Sequence, residues 1–139
     1  MALASPVFGR CAMRIIIVDP EPTQLESFSR GLSLHGHDCL GYSEPDGAAR
    51  ALGGAAVEPV DLVLIDLSKL WPELLSFVVE VLSDHPEVPL VAIGGLTPTP
   101  ELERLRDLGV PVMHKPFGPD ELDQRLRAAV ARHPMRRAS

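Results

Sequence analysis

Two acidic residues stand where a protein of this kind could do chemistry. Asp66 closes the run Asp61-Leu62-Val63-Leu64-Ile65-Asp66, four consecutive apolar residues with an acid at each end. Asp19 closes a second run, Arg14-Ile15-Ile16-Ile17-Val18-Asp19. Short continuous apolar runs suit strands covered on both faces, as in a parallel sheet. Open α/β sheets bind their ligands outside the carboxyl ends of the strands. An acid at that edge either carries the chemistry of the protein or caps the turn that follows.

The rest of the chain supplies the elements to hold such an edge. Pro20, Glu21 and Pro22 break the first strand, and Leu25, Phe28 and Leu32 then recur at helical spacing to about His35, with Gly36 as the stop. His37 to Tyr42 reads as a short strand. Pro45 to Leu52 reads as a helix with proline in its first turn, ended by Gly53-Gly54. After the central strand, Pro72 to Ser83 is an apolar helix, and Val88 to Ile93 a third buried strand closed by Gly94-Gly95. Pro98 to Leu108 is a helix with Leu102, Leu105 and Leu108 on one side, stopped by Gly109. Val110 to Met113 is the last strand, and Pro119 to Arg132 an amphipathic helix through Leu122, Leu126 and Val130. Five strands alternating strictly with five helices predict a doubly wound parallel sheet in a single α/β domain.

Composition narrows the function classes. A chain of 139 residues is one domain's worth. Its formal charge of −6 argues against a general nucleic-acid binder. No apolar run approaches the ~20 residues of a membrane span. Cys11 and Cys39 make no metal or redox spacing, so a reducing cytoplasm is the expectation. Residues 1–12 read as a flexible tail too weakly apolar for a signal peptide, 13–132 as the domain, and 133–139 as a basic tail. His35, His37, His85, His114 and His133 show no ligand spacing and are expected at the surface or in turns. Trp71 is expected to close the core over the end of the sheet.

Taken in order, Ile-Ile-Ile-Val-Asp-Pro-Glu-Pro, Asp-Leu-Val-Leu-Ile-Asp-Leu, Val-Pro-Leu-Val-Ala-Ile and Lys-Pro-Phe resemble a response-regulator receiver domain from about Met13 to Arg132. The resemblance implies a flavodoxin-like fold of strand order 2-1-3-4-5, and a signalling module rather than an enzyme. It implies that Asp66 is the phosphoacceptor for a histidine kinase, with Lys115 as the lysine that meets the phosphate. It also implies that Asp19, Asp66 and the backbone carbonyl of Ser68 are ligands for Mg²⁺. Such roles are physically coherent. Carboxylates at neighbouring strand ends make a hard oxygen site that neutralises phosphoryl oxygens once a cation is bound, and a lysine reaching across supplies a point charge.

Four positions depart from the family pattern. Pro20 stands in place of the second acid, a direct metal ligand, which predicts weak Mg²⁺ binding unless Glu21 or Ser68 compensates. Gly94 stands in place of the Ser or Thr whose hydroxyl carries the switch. Val112 replaces the aromatic ring that follows that hydroxyl. The loop after Asp66 contains Leu70-Trp71-Pro72-Glu73-Leu74 where the family has nearly Pro-Gly-Met-Asp-Gly. These departures raise the alternative of a pseudo-receiver that binds partners without phosphorylation, as a homodimer or with another protein, through its fourth helix, fifth strand and fifth helix. A flavodoxin-like cofactor binder is the remaining alternative. Flavin phosphate, however, requires a Ser, Thr and Gly-rich loop where this chain has the rigid, acidic Pro20-Glu21-Pro22. The chain stops after its fifth helix, as a free-standing receiver or one cut from a larger regulator would.

Overall fold

The computed structural model describes residues 12–54, 59–67, 71–95 and 97–135, leaving out the side chain of Trp71. Its elements are β1 (Arg14–Val18), α1 (Pro22–Leu34), β2 (Asp38–Tyr42), α2 (Pro45–Gly53), β3 (Leu62–Asp66), α3 (Trp71–Asp84), β4 (Leu90–Gly94), α4 (Pro100–Asp107), β5 (Val112–His114) and α5 (Pro119–Arg132). The strands are parallel in the order β2-β1-β3-β4-β5. That is the doubly wound arrangement expected from the alternation, with the strand order expected from the resemblance.

Each central strand is buried on both faces, and its residues divide by parity. Ile16, Val18, Val63, Ile65 and Ala92 join one core cluster with Leu74, Val78, Leu102 and Leu105, beneath α3 and α4. Ile15, Ile17, Leu62, Leu64, Val91 and Ile93 join a second cluster with Leu32, Leu122 and Leu126, beneath α1 and α5. This is why β1 and β3 read as unbroken apolar runs: both sides of the sheet are interior. Each fully buried Leu, Ile or Val contributes roughly 1.5–3 kcal/mol.

The element ends differ from expectation where hydrogen bonding overrides periodicity. Helix α4 begins at Pro100, not Pro98, because the Thr99 hydroxyl accepts from the Leu102 amide at 3.1 Å and so fixes the cap. Its far end turns at Gly109, whose φ of +84° suits glycine. The Val110 amide folds back onto the Leu105 carbonyl at 3.0 Å. Strand β5 therefore starts at Val112 rather than Val110. Val88 is likewise held in a turn by the His85 carbonyl at 3.0 Å, which delays β4 to Leu90. Leu108 caps α4 and is exposed, unlike Leu102 and Leu105.

Candidate functional site

The carboxyl ends of β1, β3 and β5 carry Asp19, Asp66 and Lys115. Asp66 is the last residue of β3, Asp19 follows β1, and Lys115 follows β5, its amide donating to the Gly94 carbonyl at 3.1 Å. Lys115 Nζ lies 3.0 Å from Asp66 Oδ2, and the Asp66 side chain is 1 % exposed. The Lys115–Pro116 peptide is cis.

A fourth residue, Gln24, ties the group together. Pro22 opens α1, and the Glu21 carboxylate caps it by accepting from the Thr23 amide at 3.0 Å. Asp19 Oδ1 accepts from the Glu21 amide at 2.9 Å, which docks the start of the helix over the sheet edge. Gln24, the third residue of α1, then turns its side chain into the pocket. Its Nε2 donates to Asp19 Oδ2 at 2.9 Å and to Asp66 Oδ2 in a short contact. Its Oε1 accepts from Lys115 Nζ at 3.0 Å. Asp19 therefore does both things its position allows: it caps the turn and faces the pocket. Burial raises its pKa above the ordinary carboxylate value and Asp66 adds to the rise, while hydrogen bonds from Glu21 and Gln24 and the charge of Lys115 oppose it.

Sequence reasoning missed Gln24. Counting α1 from Pro22 would have placed it in the first turn, where helical side chains lean back toward the N-terminus and so toward the two acids. Glu21, considered as a compensating ligand, instead caps its own helix. Ser68 lies outside the described residues, as does the Trp71 ring. Among the described residues, no group of three His, Cys, Asp or Glu side chains is arranged to hold a metal ion.

The positions of the switch are also filled differently. A Cβ added to Gly94 would lie 2.9 Å from Leu102 Cδ2, the end of a flexible side chain that would have to shift to admit a hydroxyl-bearing residue. Val112 packs against the α3–α4 cluster. His114 braces the same corner: its Nδ1 donates to the Gly95 carbonyl and its Nε2 accepts from Arg106, both at 2.8 Å.

His37 corrects an expectation. It is buried, not at the surface, because its ring satisfies groups that the fold encloses. Nδ1 accepts from the Met13 amide at 3.0 Å, and Nε2 donates to Asp123 Oδ1 at 2.5 Å. Arg127 Nε meets both Asp123 oxygens at 3.1 Å. Burial would raise the Asp123 pKa, but the hydrogen bonds from His37 and Arg127 outweigh it and hold the carboxyl below its ordinary value. The cluster joins the start of β2 to α5, at the opposite end of the sheet from Asp66.

Fold and kinship point the same way: the chain has the receiver fold and is similar to response-regulator receiver domains. It is 31 % identical over 121 residues to the transcriptional regulatory protein KdpE of Mycobacterium tuberculosis, in strains CDC 1551 and H37Rv, a match covering 86 % of this chain and 51 % of that protein. The chain thus spans about half the length of the curated relatives it matches. A CheY-like receiver domain protein from Methanospirillum hungatei superposes with a TM-score of 0.75 at 18 % identity, over 88 % of this chain and 97 % of that one. NtrX from Brucella abortus, in complex with ADP, superposes with a TM-score of 0.74 at 27 % identity, over 87 % of this chain and 26 % of that one. No family model matches the chain. No helix among the described residues is long and apolar enough to cross a membrane.

Proposed function

We propose that Asp66 is the phosphoacceptor of a two-component phosphorelay, fed by a histidine kinase, in a receiver that has lost the usual coupling to its output face. The observation that carries this reading is the Lys115–Asp66 pair, a lysine 3.0 Å from a buried acid at the ligand-binding edge of a receiver fold. In the transfer, a carboxylate oxygen of Asp66 attacks phosphorus. The P–N bond to the donor imidazole breaks, its electron pair stays on nitrogen, and an acyl phosphate remains on Asp66. Lys115 meets the added negative charge. The domain acts as a signalling module, not as an enzyme with turnover.

Receivers in general bind Mg²⁺ at this site. The donor set here fits it poorly. Asp19 and Asp66 offer hard oxygens, but Pro20 offers none, and the Gln24 amide lies between the two acids. Slow transfer and weak Mg²⁺ binding are the consequences.

A second reading draws on Gly94 and Leu102. With no hydroxyl at Gly94 and the Leu102 side chain beside it, the surface of α4, β5 and α5 is set in one state and binds a partner without phosphorylation, as a homodimer or with another signalling protein. The net charge of −6 supports a protein partner over nucleic acid, and a cytoplasmic setting goes with it.

Intact-mass measurement after incubation with an acyl-phosphate donor tests the acceptor. Wild type is expected to gain one phosphoryl group and Asp66→Asn none. Equal labelling of both proteins would place the acceptor elsewhere.

A further inference from the structure

We propose that the Gln24 side-chain amide takes the structural place of a divalent cation in this pocket, and is the residue that sets the pocket's affinity for one. The inference rests on the receiver reading for which cation is relevant. Its geometry stands on the four side chains themselves.

A bridging cation has two tasks here: to join the acids of β1 and β3, and to satisfy oxygens that the fold has removed from water. Gln24 performs both. Its amide nitrogen has two N–H groups, and each is directed to a different carboxylate, Asp19 at 2.9 Å and Asp66 in a short contact. The amide orientation is fixed by Lys115, whose ammonium donates to Oε1 at 3.0 Å. Turned the other way, the amide would set its carbonyl oxygen against two carboxylates and its N–H groups against an ammonium. The sheet edge is thereby closed by a neutral donor anchored in the first turn of α1.

A neutral bridge completes hydrogen bonds without cancelling charge. Mg²⁺ requires near-octahedral oxygen coordination at roughly 2.0–2.1 Å. To touch Asp19 Oδ2 and Asp66 Oδ2 together, it must enter the region that the Gln24 nitrogen holds. Cation and amide therefore compete. A site open only when its occupant swings away binds with an affinity reduced by the open fraction.

The test is a titration of the whole chain with MgCl₂, followed by calorimetry and by thermal melting, for wild type, Gln24→Ala and Gln24→Met. Methionine keeps the unbranched bulk without a donor, so it serves where alanine costs too much stability. In EDTA both variants are expected to melt below wild type. Added MgCl₂ is expected to raise their melting temperatures more than that of wild type, with an affinity about tenfold tighter in Gln24→Ala. A wild type that binds Mg²⁺ as tightly as the variants, or more tightly, would overturn the proposal, because Gln24 would then be neutral or a ligand through Oε1. Loss of the difference in an Asp66→Asn background is expected as well; its persistence there would also overturn the proposal. Phosphoryl labelling is measured separately. A chain that takes no phosphoryl group yet shows the Mg²⁺ difference would defeat the phosphoacceptor reading and leave this one standing.

Discussion

Leu102 fills the space beside Gly94. A methyl-sized group on that glycine would come within 2.9 Å of Leu102 Cδ2, at the point where receivers of the usual pattern hold a switching hydroxyl. The close approach of α4 and the missing hydroxyl are one feature. With no side chain at the end of β4, the helix settles onto the strand, and Arg106 and His114 fasten it there.

Restoring a hydroxyl should therefore not restore a switch. Gly94→Thr is expected to push the end of the Leu102 side chain aside and to destabilise the fold by only about 1 kcal/mol. Gly94→Thr combined with Leu102→Ala should cost less than the sum of the two single changes. Chemical denaturation of the two single variants and the double variant measures the coupling; strict additivity would mean the two residues do not compete for space.

The charge pocket predicts an ordering of variants. Asp66→Asn removes the repulsion with Asp19 but also the Lys115 partner, so its effect should stay within about 1 kcal/mol. Lys115→Ala removes the cation beside two buried acids, and should cost about 1–2 kcal/mol. That is less than for a sealed ion pair, because the Lys115 side chain is 35 % exposed and partly screened. Thermal melts giving the reverse order would count against the pocket as described.

Two histidines predict a stability maximum near pH 6.5, the ordinary imidazole value. Burial, helped by the charges of Arg127 and His35, holds His37 below it, against the opposing pull of Asp123. The unfolded chain then binds the extra proton, and stability is lost as pH falls from 6.5 through the lowered value. His35 is held above it, chiefly by its hydrogen bond to the Gly31 carbonyl, with Asp123 and Asp120 adding and burial opposing. Its contribution is complete below 6.5 and is lost as pH rises through the raised value. Melting temperature against pH should peak between the two, and His35→Ala should flatten the alkaline side only. An unchanged alkaline slope in that variant would show that other groups set it.

Much of this was legible in the sequence. Apolar runs too short for helices, each ending in an acid or a glycine, marked β1, β3 and β4, because a sheet covered on both faces leaves no polar alternation to confuse the signal. Asp19, Asp66 and Lys115 were visible as the residues just beyond those strands. Gln24 was not, since a glutamine in an amphipathic helix has nothing to distinguish it until the loop from Asp19 to Pro22 fixes where the first turn points. His37 was hidden for a related reason: its burial depends on Asp123 and Met13, 86 and 24 residues away. Strand β5 was misplaced by two residues because Val110 is apolar, yet its amide belongs to the end of α4.

Amide NMR of the chain before and after treatment with an acyl-phosphate donor tests the central claim, that Asp66 accepts a phosphoryl group in a receiver whose output face is already set. Shifts are expected at Asp66, Asp19, Gln24 and Lys115, absent in Asp66→Asn, while Leu102, Val112 and Leu122 stay within the error of the unmodified spectrum. No shift at Asp66, or a change that spreads through α4, β5 and α5, would contradict it.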